Sequence, residues 1–101
     1  MAYPVFAKEF LWDESKNELL KETRGISFED IVLRMAGEDL LDVIEHPAAD
    51  HYPGQKIFVV RIDDHVVLVP FVEDEWTVFL KTIIPSRKMT KRYLGARRHE
   101  Q

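Results

Sequence analysis

Lys81, Thr82, Ser86, Arg87, Lys88, Thr90, Arg92 and Tyr93 crowd one short segment near the C-terminus, at a predicted junction of strand and helix. Side chains alternate along a strand, so Lys81 and Ile83 are predicted to point one way and Thr82 and Ile84 the other. Where a helix starts, its free N–H groups and a capping Ser86 make an anion site. Arg87 can fork onto a phosphate, and Lys88 adds a compact charge. Tyr93 offers a ring on which a base can stack and a hydroxyl for phosphate contact or proton transfer. Cations interleaved with an aromatic suit single-stranded RNA.

Such a site could cleave RNA with the substrate's own 2′-OH as nucleophile. The protein would orient the strand, move two protons and stabilise the pentacovalent phosphate, the last a task for arginine. A lysine, Tyr93 or a carboxylate near the first helix could serve as base. Other chemistries find less support. Glu45, His46, Asp50 and His51 sit close enough for a metal-dependent hydrolase, but their spacing matches no structural metal site and a His beside Pro is common in loops, so no metal is expected. There is no cysteine for a thiol nucleophile. Of the serines Ser15, Ser27 and Ser86, the last two are better placed as helix caps. Four scattered glycines make no phosphate-binding loop, and no cofactor is expected.

The elements that must position this segment follow from the hydrophobic period. Residues 9–12 predict a strand and Asp13 an N-cap. Residues 14–24 form a helix with a thin stripe at Leu19 and Leu20, closed by Gly25. Ser27 caps a second helix, with Asp30 where a capping box has Glu or Gln. Phe28, Ile31, Val32 and Met35 share its inner face, and Gly37 ends it. The period then changes to two. Strands are predicted over 40–45, 56–62, 65–72 and 76–84, with a Pro-, Asp- and Gly-containing loop over 46–55 and turns at Asp63-Asp64 and Glu73-Asp74-Glu75. Pro85 stops the last strand. A basic helix runs from Ser86 to Leu94, and Gly95 follows it. The fold class is α+β: two N-terminal helices packed on one face of an antiparallel sheet of four to five strands, the other face free, plus a basic C-terminal helix. Residues 1–95 are one domain and 96–101 a flexible basic tail.

Charge divides the chain. Residues 1–80 hold seven Lys/Arg against seventeen Asp/Glu, a balance of −10; residues 81–101 hold seven against Glu100 alone, a balance of +6. A polyanion or an acidic partner is expected on the basic side. No charged start precedes a long apolar run, so no signal peptide is expected. The apolar stretch 66–72, interrupted by Pro70, is far below the roughly 20 residues a membrane helix needs. A cytoplasmic protein with no membrane partner is expected.

Three segments resemble the BrnT-type toxins of bacterial toxin–antitoxin systems. They are Trp12-Asp13-Glu14-Ser15-Lys16-Asn17, then Gly25-Ile26-Ser27-Phe28-Glu29-Asp30, then Ile83-Ile84-Pro85-Ser86-Arg87-Lys88 continuing through Thr90 to Tyr93. Gly25 follows Lys16 by nine residues, the family's interval, and the third segment matches an Ile-Ser-Ala-Arg-Lys stretch followed by Tyr. The resemblance spans residues 10–94. It implies a fold similar to the RelE-like ribonucleases and an RNA-cleaving activity that inhibits translation and growth. It also implies a ribbon-helix-helix antitoxin, through which alone operator DNA would be bound. Carried over by position, Lys16, Arg87, Lys88 and Tyr93 are the expected catalytic residues. Lys81, Thr82, Ser86, Thr90, Arg92 and Arg24 are the expected RNA contacts. Thr23-Arg24-Gly25 stands where the family commonly has Lys-His-Gly, and Arg24 can hold a phosphate but cannot shuttle a proton. The alternative expectation is a non-catalytic module that binds a ribbon-helix-helix partner and RNA without cleaving it.

Overall fold

The computed structural model describes residues 8–48 and 50–99, with side chains through Gly95. The elements are β1 (Glu9–Leu11), α1 (Glu14–Arg24), α2 (Phe28–Ala36), β2 (Leu40–Glu45), β3 (Lys56–Ile62), β4 (His65–Glu73), β5 (Thr77–Leu80), β6 (Ile84–Pro85) and α3 (Arg87–His99). The fold is α+β, as the pattern predicts.

Local chemistry sets the helix ends. The Asp13 side chain accepts from the Lys16 N–H, and Gly25 closes α1 at φ 66°, where a side chain would be strained. Ser27 and Asp30 form a complete reciprocal box, so aspartate does here what glutamate does in the usual motif. The α1–α2 corner is then locked by Asn17, which is fully buried. Its Oδ1 accepts from the Phe28 N–H at 2.7 Å, and its Nδ2 donates to Glu29 Oε1 at 2.7 Å and Glu14 Oε1 at 3.3 Å. Trp12 stacks on Phe28 at 5.7 Å beside it. The segments Trp12–Asn17 and Gly25–Asp30 therefore meet in space and hold the corner together.

Asn17→Ala strands the Phe28 N–H and is expected to cost about 2 kcal/mol, measured by denaturant unfolding. The Glu29 carboxyl is held below its ordinary range, first by the Asn17 amide. A lowered carboxylate pKa contributes stability above the ordinary value and loses it as pH falls, so part of the variant's deficit should vanish in acid.

The sheet runs β1-β5-β4-β3-β2, with β6 also on β4. Every pairing is antiparallel except that of β1 with β5, which is parallel. The two strands are far apart in sequence, so no tight hairpin fixes their direction. The predicted strand over 76–84 is two strands. Phe71 opposes Leu80, while Val67 opposes Pro85, a register shifted by one residue across the jog at 81–83. Pro70 sits at the break. Its carbonyl accepts from the Lys81 N–H at 2.8 Å, and proline has no N–H to return the bond. Ile83 turns into the core while Lys81 is exposed, so the two do not share one side as strict alternation predicts.

Both faces of the sheet are covered. Leu20, Phe28, Ile31 and Met35 of α1 and α2 pack on Phe58, Val60, Val67, Val69, Phe71 and Val78. On the other face, which the sequence leaves free, Leu94 of α3 packs with Val59 and Val66, and Met89, Tyr93, Leu41, Ile44 and Leu68 join them. Helix α3 continues through Gly95 to His99, beyond its predicted end at Leu94. Residues 96–99 of the predicted flexible tail thus belong to a helix, and Glu100 and Gln101 lie outside the described residues.

Candidate RNA-binding site

Two hydrogen bonds, braced by a third within α3, tie the start of α3 to the start of β4. Ser86 N–H donates to the Val66 carbonyl at 3.0 Å. The Thr90 hydroxyl donates to the Ser86 carbonyl at 2.7 Å and accepts from the Val66 N–H at 2.8 Å. Ser86 Oγ caps the helix by accepting from the Met89 N–H at 3.1 Å. Ser86 and Thr90, expected as RNA contacts, thus spend their side chains on placing the helix.

Arg87 and Lys88 are exposed in the first turn of α3, and among the described residues neither has an ion-pair partner. Their position is unfavourable for the isolated fold. A helix start carries partial positive charge, and a cation there costs a few tenths of a kcal/mol. Helices α1 and α2 follow the rule, with Glu14 and with Glu29 and Asp30 in their first turns, whereas α3 has no acid in its own. Arg92 and Lys91 extend the charge along the helix as exposed side chains, and Lys81 is exposed at the jog before it. Thr82 beside it is partly buried.

Tyr93 faces inward. Its hydroxyl donates to Asp42 Oδ2 on β2 at 2.9 Å, and its ring joins the cluster beneath α3. Burial, and then the Asp42 carboxylate, push the phenol above its ordinary pKa. A phenol held protonated is a poor base, and a ring packed against the sheet is not presented for stacking. The residue anchors α3 to β2.

Tyr93→Phe is expected to cost about 1 kcal/mol at neutral pH. A raised pKa contributes stability below the ordinary phenol value near 10, lost as pH rises through the folded value. The gap between variant and wild type should therefore narrow above about pH 10, as urea unfolding at neutral and alkaline pH would show.

Lys16 is half-buried near the start of α1, about 12 Å along the helix axis from Arg24. Arg24 does reach the neighbourhood of α3. It lines a cavity of about 340 Å³ with Gly25, Ile26, Asp30, Arg34, His65 and Pro85, the residue next to Ser86. Arg34 in this cavity is engaged by Asp63 at 3.1 Å and Asp39 at 3.6 Å, whereas Arg24 has no ion-pair partner among the described residues. The structure thus brings Arg24 toward the start of α3 and leaves Lys16 outside the cavity. His65, which sequence patterning places only at a strand end, is the functional candidate it adds. Nothing in the spacing of Arg24, His65 and Pro85 along the chain announces their meeting.

The loop candidates for a metal do not converge. His46 Nδ1 accepts from the Ala48 N–H at 3.0 Å and its ring lies against Tyr52 at 4.5 Å. Among the described residues no group of three or more His, Asp or Glu side chains could hold a metal ion. No helix of the described residues is long and apolar enough to cross a membrane.

Comparison with protein-family models, with curated proteins and with solved structures found no match. The likeness to BrnT-type toxins rests on the three segments quoted above.

Proposed function

We propose that this chain is an RNA-cleaving toxin of a toxin–antitoxin system, acting on single-stranded RNA without a metal. The observation that carries the reading is the start of α3. Arg87 and Lys88 stand where the helix field opposes them, exposed and unpaired among the described residues, next to a cavity lined by Arg24. Residues that break a local stability rule with no compensation inside the fold mark places where a ligand supplies it. A phosphate would. The cations hold the strand, with Arg87 beside the scissile phosphodiester to stabilise its developing charge. Lys81 and Arg92 hold flanking phosphates. The resemblance adds the RNA substrate, the growth arrest and a ribbon-helix-helix antitoxin, with operator DNA bound only through that partner, in the cytoplasm.

Induction of this chain alone in a bacterial host tests the reading. Growth should stop, and transcripts should acquire defined new ends. If soluble chain accumulates while growth and RNA stay intact, the toxin reading fails. A second reading, RNA binding without cleavage, is favoured by one observation: Arg24 occupies the position where a proton-transferring histidine would be expected. It predicts retention of RNA by the purified chain with no new ends.

A further inference from the structure

We propose that His65 is the general base of this site, taking the proton from the attacking 2′-OH of RNA; the assignment rests on the cleavage reading above. Three observations place it there. His65 lines the same cavity as Arg24 and Pro85. Val67 opposes Pro85 in the ladder, and Ser86 N–H bonds to the Val66 carbonyl, so the start of α3 lies beside the start of β4, where His65 stands. Finally, its side chain is 46% exposed, so a ligand in the cavity can reach the imidazole, and the Asp64 carboxylate lies 3.7 Å from its Nδ1.

Of the other histidines with described side chains, His46 uses its Nδ1 on the Ala48 N–H in a distant loop, and His51 lies in that same loop.

The charges facing the imidazole suit the task. Asp63 and Asp64 come from the β3–β4 turn, Arg24 from α1, Asp30 and Arg34 from α2. Asp30 is occupied as the capping partner of Ser27, and Asp63 bonds with Arg34. Arg24 therefore remains to hold a phosphate on the α1 side while Arg87 and Lys88 hold it from the α3 side. An RNA strand crossing this gap presents a 2′-OH to His65.

The reaction then balances without a further reagent. The imidazole takes the 2′-OH proton, the 2′-oxygen bonds to phosphorus, and the P–O5′ bond breaks. The departing 5′-oxygen takes a proton from water, and the imidazolium returns its own to solvent. The products are a 2′,3′-cyclic phosphate and a 5′-hydroxyl.

The test uses the purified full chain and an end-labelled single-stranded RNA, measuring cleavage rate from pH 5 to 9 and affinity by fluorescence anisotropy. His65→Asn should lower the rate on the order of 10²- to 10⁴-fold, typical of losing a general base, with affinity changed less than about twofold. The wild-type rate should rise with pH to a plateau, and that rise should disappear in the variant. Free imidazole should restore part of the rate to His65→Ala, a result that a structural role would not give. If His65→Asn cleaves at the wild-type rate, His65 is not the base and the cleavage reading survives. If wild-type chain neither retains nor cuts the RNA, the cleavage reading itself falls and the base assignment with it.

Discussion

Arg87→Ala is expected to lower RNA cleavage by the purified chain about 10²- to 10³-fold, the cost of removing one donor from a developing oxyanion. Its thermal midpoint should stay within about 4 °C of wild type, since an exposed substitution usually changes stability by less than 0.5 kcal/mol. The two halves of this expectation have different causes. Arg87 makes no ion pair among the described residues, and the field at the start of α3 opposes its charge, so the fold loses nothing when the guanidinium goes. The substrate loses a planar fork that can span two phosphate oxygens. Arg87→Lys keeps the charge without the fork and should fall between the two. Affinity should become less salt-dependent, its slope falling by about 0.7 for each single-strand phosphate contact removed. Cleavage and binding measured across a salt series check all of this. Unchanged cleavage by Arg87→Ala would remove Arg87 from the site.

The elements were legible wherever local chemistry decides them. Asp13, Gly25 and Ser27 mark helix ends through their own side chains or backbone freedom, and the structure puts those ends where the residues ask. The Asp63-Asp64 turn is legible too, although Asp63 adopts a positive φ of 57° that glycine would take more easily. What local chemistry could not show was pairing between distant segments. The parallel β1–β5 contact has no turn to announce it, and the register shift around Pro70 depends on which neighbour that proline's missing donor faces.

One misreading had a signal that was available. The second face of the sheet was expected to be free, yet Ile57, Phe58, Val59 and Val60 are consecutive and all buried. A run without alternation means cover on both sides. The cover is α3, whose charges conceal an apolar stripe at Met89, Tyr93 and Leu94. Because that stripe faces the sheet, Tyr93 is an anchor, and only the outward cations of α3 remain for a ligand. The basic part of the site was thus legible from composition, and the roles within it depended on knowing which side of α3 is inside. His65 was not legible at all. It reaches the cavity through β4 pairing with β6, a contact set by the strand ladder and not by any motif.

The largest effect on stability is expected from Phe58→Ala, a loss of about 3–5 kcal/mol. Phe58 is fully buried on β3, between β2 and β4, its ring stacked on Phe71 with centroids 3.8 Å apart and planes 8° from parallel, and Phe10 lies 6.4 Å away. Cutting it to alanine removes apolar surface and leaves a hole that the stacked partner cannot fill without leaving its own place. For a domain of this size the midpoint should drop on the order of 15 to 30 °C. Phe58→Leu, which fills most of the space, should cost considerably less. The substitution also asks whether the two layers unfold together. Phe58 faces α1 and α2, while its neighbour Val59 faces α3, so a fault on one side passes through a single strand to the other. Hydrogen exchange in the variant should therefore show the amides of β3 and of the first turns of α3 losing protection by the same amount. If β3 loses protection while α3 keeps it, α3 is held by something other than the sheet, and the anchoring assigned to Tyr93 and Thr90 would be wrong.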